Sequence, residues 1–451
     1  MPGLSHTLDI ARRALMTQQA MMSVIGHNVA NVGTAGYSRQ VARLETQRPF
    51  LVGQISWGDG VRLSDVVRQR DRFLDEQFRA EVSDSGWWQT RANILGGIES
   101  LIGEPSDTGL SAVLDDFWAA WSELSSSPED PALRGTVREV GRALADRIGS
   151  LADRLAQARA DLGREISREV DALNRRLGDL ADLNGRIQAA ELSGGQANDL
   201  RDRRDLLLDE LNRQAKVTWS EQEDGSLIVR LAGKTLVDRE GSHPLAVATD
   251  LKADGTRAAR LSGPDGESFQ VETGRLGALL EMQQESVPEL QAGLDGLAAD
   301  LIREVNALHR AGPSGVDFFA GSGAADMALA AEIQSDLTAI NVSTSGISGE
   351  NDIALAIAQL QQSPISGGGT LTPSESWGAY VARLGTMAAE ASAQETNTEL
   401  ATEALSNRRE SVKGVSLDEE MAAMVQTQQA YLAATRLFEV TAGLFEALLE
   451  M

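Results

Sequence analysis

The chain has 451 residues, room for about three domains at roughly 150 residues each, and a formal net charge of −25 from 41 Lys and Arg against 66 Asp and Glu. That balance excludes a general nucleic-acid binder and disfavours an anionic membrane surface, because both depend on clustered Lys and Arg. With no Cys, disulfide scaffolds, thiolate metal sites and Cys nucleophiles are excluded, and with 4% aromatic residues the core falls to Leu, Ala, Val and Ile, which suit helix seams.

The first predicted element is an amphipathic helix. Leu4, Leu8, Ala11, Leu15, Gln18, Met22, Ile25 and Val29 alternate steps of four and three, a heptad seam with one polar break at Gln18. The helix should stop across Asn28–Gly36, where Asn31, Gly33 and Gly36 supply turn conformations. Residues 36–70 read as an extended or hairpin linker with a turn at Gly58-Asp59-Gly60. Residues 71–215 read as helices broken at Gly103–Gly109 and Ser125–Pro131, where Pro and Ser/Asp clusters end one helix and cap the next. Leu144, Ile148, Leu151, Leu155, Ala158 and Leu162 keep the four-three rhythm. Ile166, Val170, Leu173, Leu177, Leu180, Asn184 and Ile187 resume it after an extra step of four. At 1.5 Å per residue, 144–187 spans about 66 Å, the length of a rod.

Residues 216–273 read as a small β domain. Val217–Ser220 and Leu227–Leu231 flank a turn at Glu223–Ser226, and Asp254-Gly255 and Asp265-Gly266 mark further hairpin turns. Helix returns over 274–409, interrupted by an irregular 312–372 rich in Gly, Ser and Thr. A second heptad seam closes the chain: Leu417, Met421, Met424, Gln428, Tyr431, Thr435, Phe438, Ala442, Phe445 and Leu449. Residues 1–44 carry net positive charge and 401–451 net negative charge, so the two terminal segments, 1–35 and 410–451, are expected to pair. The expected fold is mainly α with a small β insertion. It combines paired terminal coiled-coil helices, an elongated helical-bundle middle domain and an outer all-β domain.

Catalytic patterns are missing. The four His (His6, His27, His243, His309) fall in no metal spacing, and neither G-x-S-x-G nor Ser-x-x-Lys occurs. Asp115-Asp116 and Glu419-Glu420 diverge around helix axes and read as solvated faces. Trp87-Trp88 and Trp118/Trp121 read as packing where helices meet, ahead of a ligand platform. No catalytic residue, metal, cofactor or membrane span is expected. Residues 1–26 lack an uninterrupted apolar core and an A-x-A site, so no cleaved leader is expected and these signals alone read as cytoplasmic.

The specific signal is the run Ala30-Asn31-Val32-Gly33-Thr34-Ala35-Gly36-Tyr37-Ser38-Arg39. Asn31 and Gly33 cap a helix, Gly36 permits a sharp reversal and Tyr37 anchors the extended chain. It resembles the A-N-x-x-T-x-G-Y-x-R signature after the first helix of bacterial flagellar axial proteins, so Ala30, Asn31, Thr34, Gly36, Tyr37 and Arg39 are the candidate assembly motif. Glu104–Ser111, Ser127–Arg134, Asn198–Leu207, Gly274–Ala278 and Val415–Glu420 are similar to segments of the hook-associated protein 1 family. The chain is short for that family, which implies a reduced outer β domain. It ends at Phe445–Met451 without the expected basic last residue.

The resemblance implies a non-enzymatic adaptor, exported unfolded, at the hook–filament junction. Its implied partners are the hook protein, the second junction protein, further copies of itself and an export chaperone on the C-terminal region. The terminal helices (seams Leu4, Leu8, Leu15, Met22, Ile25, Val29 and Leu417, Met421, Met424, Tyr431, Phe438, Phe445, Leu449) would form an inner tube. Another axial protein, hook or second junction protein, is the near alternative, though a hook protein should be β-rich through 71–214. A cytosolic coiled-coil scaffold leaves the motif unexplained. A hydrolase insertion in 216–273 has only His243 to work with.

Overall fold

One long helix sets the architecture. In the computed structural model, which describes residues 2–52, 55–192, 194–251 and 257–449, α4 (Pro131–Glu191) runs unbroken for 61 residues, about 92 Å at 1.5 Å per residue. Pro131 occupies its first turn and Asp130 accepts the Ala132 N–H at 2.8 Å, so the start is fixed locally. Its apolar stripe from Val137 to Ile187 is buried throughout, and the extra step between Leu162 and Ile166 leaves the helix intact. The chain opens with α1 (Pro2–Ala30), and its last helix is α11 (Leu417–Leu449).

The other body helices pack around this rod. α2 (Arg72–Ile102) starts at the Asp71 cap and ends at Gly103 in the left-handed region. α3 (Leu110–Ser126) lays Leu114, Phe117 and Trp121 against α4. α5 (Asn198–Gln214), α6 (Gly274–Glu281) and α7 (Val287–His309) follow, the last two joined by a π turn at Met282–Ser286. α10 (Pro373–Lys413) begins in a Thr372/Glu375 capping box and runs along α2. Trp118 and Trp121 are 1% and 0% exposed, edge-on to Phe117, so they pack and offer no open platform.

The β insertion is not a separate outer domain. Its strands form two small sheets: β5 (Val217–Glu221), β6 (Leu227–Leu231) and β7 (Lys234–Val237), then β8 (Ala246–Leu251) with β9 (Arg257–Ser262), all antiparallel. Leu227, Val229 and Leu231 alternate inward and join the same buried cluster as the α4 stripe. Side-chain amides bind strand backbone as a neighbouring strand would. Asn184 on α4 both donates to the Leu227 carbonyl (2.8 Å) and accepts its N–H (3.1 Å). Asn174 does the same for Leu245, at 2.8 Å each way. The π turn places Gln283 and Gln284 so that together they hold both backbone groups of Ala259. The chain leaves and re-enters at one point: a Cβ on Gly274, at φ +69, would lie 2.6 Å from the Gln214 carbonyl. The expected turn at Asp254-Gly255 lies outside the described residues.

Residues 312–372 hold short elements: a two-residue ladder of β10 (Phe319–Ala320) and β11 (Ala328–Leu329), then α8 (Ala331–Ser335) and α9 (Asp352–Gln359). They are tied to α7. Asn306 accepts the Phe318 and Phe319 N–H groups, and buried His309 bridges the Val316 carbonyl and the Asn341 N–H.

Candidate assembly interface

The chain ends meet as two long helices. α1 and α11 pack along one another, with Asn28 near the end of α1 bonded to Glu420 near the start of α11, so they run antiparallel. Between α1 and the body, β1 (Gln40–Thr46) and β4 (Val61–Arg68) form a hairpin whose tip carries β2 (Phe50–Val52) and β3 (Ile55–Trp57). The hairpin folds back on α1: His6 meets the Gly58 carbonyl, Arg13 pairs with Asp59, and Gly60 seats against Ile10.

In the N-terminal seam Ile25 is buried, and Leu4, Leu8, Leu15, Met22 and Val29 are half-buried. The C-terminal seam is only partly covered. Met424, Tyr431 and Phe438 are half-buried, whereas Leu417 and Met421 are 47% and 51% exposed and Phe445 is also exposed; the Leu449 side chain lies outside the described residues. The stripe actually buried runs through Glu420, Thr427, Ala434 and Thr441, one residue earlier in each heptad. Small and polar side chains there let the helices approach, and hydropathy spacing alone cannot see that. The consequence is that Leu432, Val440 and Leu444 are 61%, 62% and 53% exposed, leaving an apolar face on α11 that none of the described residues covers.

The Ala30–Arg39 motif sits where the helix pair joins the body. Ala30 and Thr34 are exposed, and Asn31 caps the helix end by donating to the His27 carbonyl and accepting from Thr34. Gly36 takes φ +79, with Leu206 at van der Waals distance from where a Cβ would be. Tyr37 donates to Asn28 Oδ1 at 2.8 Å. Burial, with Asp199, Asp202 and Glu420 nearby, holds its phenol well above the ordinary value. Arg39 donates to Glu420 at 2.7 Å and to Glu419 at 2.8 Å. Sequence reading missed Asn28, whose amide makes four bonds, to Tyr37, Glu420 and both backbone groups of Gln40. Its sequence signal was no more than a polar residue beside the seam position Val29 at the helix end.

Beneath the motif lies an ionic cluster. Arg68, Arg70, Arg79 and Arg409 interleave with Asp75, Asp202, Asp205 and Asp209, every side chain at most 15% exposed. It draws together β4, the β4–α2 link, α2, α5 and α10, and two of its three Asp residues on α5, Asp202 and Asp205, come from the Asn198–Leu207 segment. Burial pushes the Asp205 carboxyl up, but Arg70, Arg68 and Arg79 outweigh it and hold that carboxyl far below its ordinary value. Arg79 also stacks over Trp219, 4.5 Å from the ring centroid. Among the described residues no group of His, Asp and Glu is arranged to hold a metal ion, and no helix is long and apolar enough to cross a membrane.

The chain is similar to known proteins. Residues 95–321 match a family described as the flagellar hook-associated protein FlgK helical domain, a range that includes the β insertion. Residues 8–37, which hold most of α1 and the motif, match the flagella basal body rod protein family. Flagellar hook-associated protein 1 of Bacillus subtilis is 30% identical and aligns over 95% of each chain. The chain belongs to the hook-associated protein 1 family. Proteins of the same name from Escherichia coli and Salmonella typhimurium are 28% and 30% identical over 70% of this chain, and the matches span 60% and 59% of theirs. The solved flagellar hook junction protein FlgK from Burkholderia pseudomallei superposes with a TM-score of 0.68 over 75% of this chain and 100% of its own, at 14% identity, a likeness of fold. As a hook-associated protein 1 family member the chain is a structural protein of the flagellum, and the family is not one of enzymes.

Proposed function

We propose that the chain is the adaptor between hook and filament: it polymerises on the hook tip through its terminal helices and presents a surface for the second junction protein. The exposed apolar face of α11, carried on a helix pair already formed within the chain, supports this reading most directly. A lone copy gains nothing by leaving Leu432, Val440 and Leu444 in water, whereas a ring or helical array of copies covers them with its neighbours. In that array the α1–α11 pairs would line the inner tube as coiled coils and the helical body would form the wall. The motif residues Ala30, Asn31, Thr34, Gly36, Tyr37 and Arg39 would fix how each pair leaves the wall. Before assembly the same apolar helix needs cover, which suits an export chaperone on the C-terminal region.

The deciding experiment is deletion and complementation. Cells without the protein should assemble hooks, shed flagellin into the medium and be non-motile, and the restored chain should be found in the medium only when the export apparatus is intact. Normal filaments on the deletion strain would sink the proposal.

A further inference from the structure

Consecutive residues of the motif are held by different parts of the molecule. Ser38 and Arg39 lie just before β1 and are bound to different elements. Ser38 gives its backbone N–H (2.9 Å) and its hydroxyl (2.7 Å) to the two oxygens of Asp202 on α5. Arg39 gives Nε to Glu420 on α11 at 2.7 Å. Both carboxylates are shut from water, Asp202 at 5% and Glu420 at 2% exposed. Each has a further partner: Arg68 for Asp202, and Asn28 of α1 for Glu420. The Arg39 N–H is taken by the Lys413 carbonyl at the end of α10, where the chain passes from body to α11. Both chain connections between body and helix pair therefore converge on this one loop.

We propose that Asp202 and Glu420 are positioning residues that clamp Ser38–Arg39 and fix the orientation of the terminal helix pair on the body. A charged carboxylate suits this task because charge-assisted bonds are short and directional, and a buried one tolerates no misplaced partner. Without the clamp, Gly36 on one connection and the 414–416 link on the other become hinges. The importance of a fixed angle for assembly rests on the function proposed above; the angle itself does not.

The chain has no Cys, so introduced Cys residues carry spin labels at chosen sites only. Met16→Cys on α1 and Leu192→Cys at the end of α4, at sites 59% and 84% exposed, report across the joint. Leu192→Cys with Leu355→Cys reports within the body. The full-length chain should give one narrow Met16–Leu192 distance, lost in Asp202→Ala and in Glu420→Ala while the Leu192–Leu355 distance stays. Among the described residues the Glu420 side chain bonds to Asn28 and Arg39, outside the helical body, so its variant cannot act through loss of that fold. A peak unchanged in Glu420→Ala, or already broad in the parent, overturns the clamp. Broadening of the body distance in Asp202→Ala removes Asp202 from it. Lost junction assembly with an intact cross-joint peak would overturn the clamp while leaving the adaptor function standing.

Discussion

At the residue scale, buried amides and imidazoles hold backbone that regular structure leaves unpaired. Asn28 is the densest case, with both amide hydrogens and the carbonyl oxygen engaged. Asn28→Ala strands the Gln40 N–H and the Tyr37 hydroxyl and should cost about 2–6 kcal/mol, since each buried group left unpaired costs about 1–3 kcal/mol. Faster hydrogen exchange in α1 and β1, with the body unchanged, is the expected reading. His309 gives a pH prediction. Burial lowers its pKa; the Val316 carbonyl and Asp317 oppose that, and the imidazole stays neutral with Nε2 accepting from Asn341. Charged groups around it are few: Asp317 on the loop that follows, itself paired with Arg310 just past the end of α7, while Trp121 of α3 and Phe318 present uncharged rings. The unfolded state takes up a proton first as pH falls below about 6.5, so the neutral-His contribution is present above that pH and declines from there down through the lower folded value. Urea midpoints should fall with acid over that window, and less steeply in His309→Gln.

At the element scale, the body helices follow local chemistry and the β insertion does not stand alone. Asp130-Pro131, Asp71, Gly103 and the Thr372/Glu375 box each start or stop a helix where the sequence reading put a break or a cap, or inside a stretch it left irregular. The 312–372 stretch had no legible period because much of its backbone is held by Asn306, His309 and Asn341 and its one ladder is two residues long. An insertion that merely looped out would be dispensable. Here Leu227, Val229, Leu231 and Leu261 share the core with Val170, Leu173 and Leu177 of α4. Replacing 217–272 by a Gly/Ser linker should therefore lower the melting temperature of the helical body, and an unchanged melt would show the sheets to be peripheral. Asn184→Ala, which leaves the Leu227 N–H and carbonyl unpaired, should by itself cost about 1–3 kcal/mol in a denaturant titration.

At the scale of the whole molecule, the helix pair and the body differ in how much of their apolar surface is covered. The α4 stripe is buried from end to end, while α11 keeps Leu432, Val440 and Leu444 in solvent. Phe438 is half-buried inside the chain, so it tests folding and assembly together. Val440 separates them. Val440→Glu places a carboxylate at a site already wet in the single copy, so export and melting temperature should match the parent. Burying that charge against a neighbour would cost several kcal/mol, and junction assembly should fail. Early melting of this variant would show that α11 packs its outer face within its own chain. Hydrogen exchange in α1 and α11 should likewise slow on assembly, with exchange in α4 unchanged.

The sequence by itself determined the helical rod, its breaks, the strand-forming insertion and the family, because apolar period, capping residues and the Ala30–Arg39 run are local properties of the chain. It also determined that two terminal helices exist with opposite net charge. Only the tertiary structure decided which α11 residues face α1. Met421 and Glu420 are neighbours, and a one-residue shift in the seam depends on how closely the partner helix approaches and on the bonds from Asn28 and Arg39 that hold Glu420 inside. The ionic cluster was equally out of reach. Arg68, Asp75, Asp202 and Arg409 are spread over the chain, each reading locally as a solvated charge, and they become one buried, balanced group only when β4, α2, α5 and α10 meet.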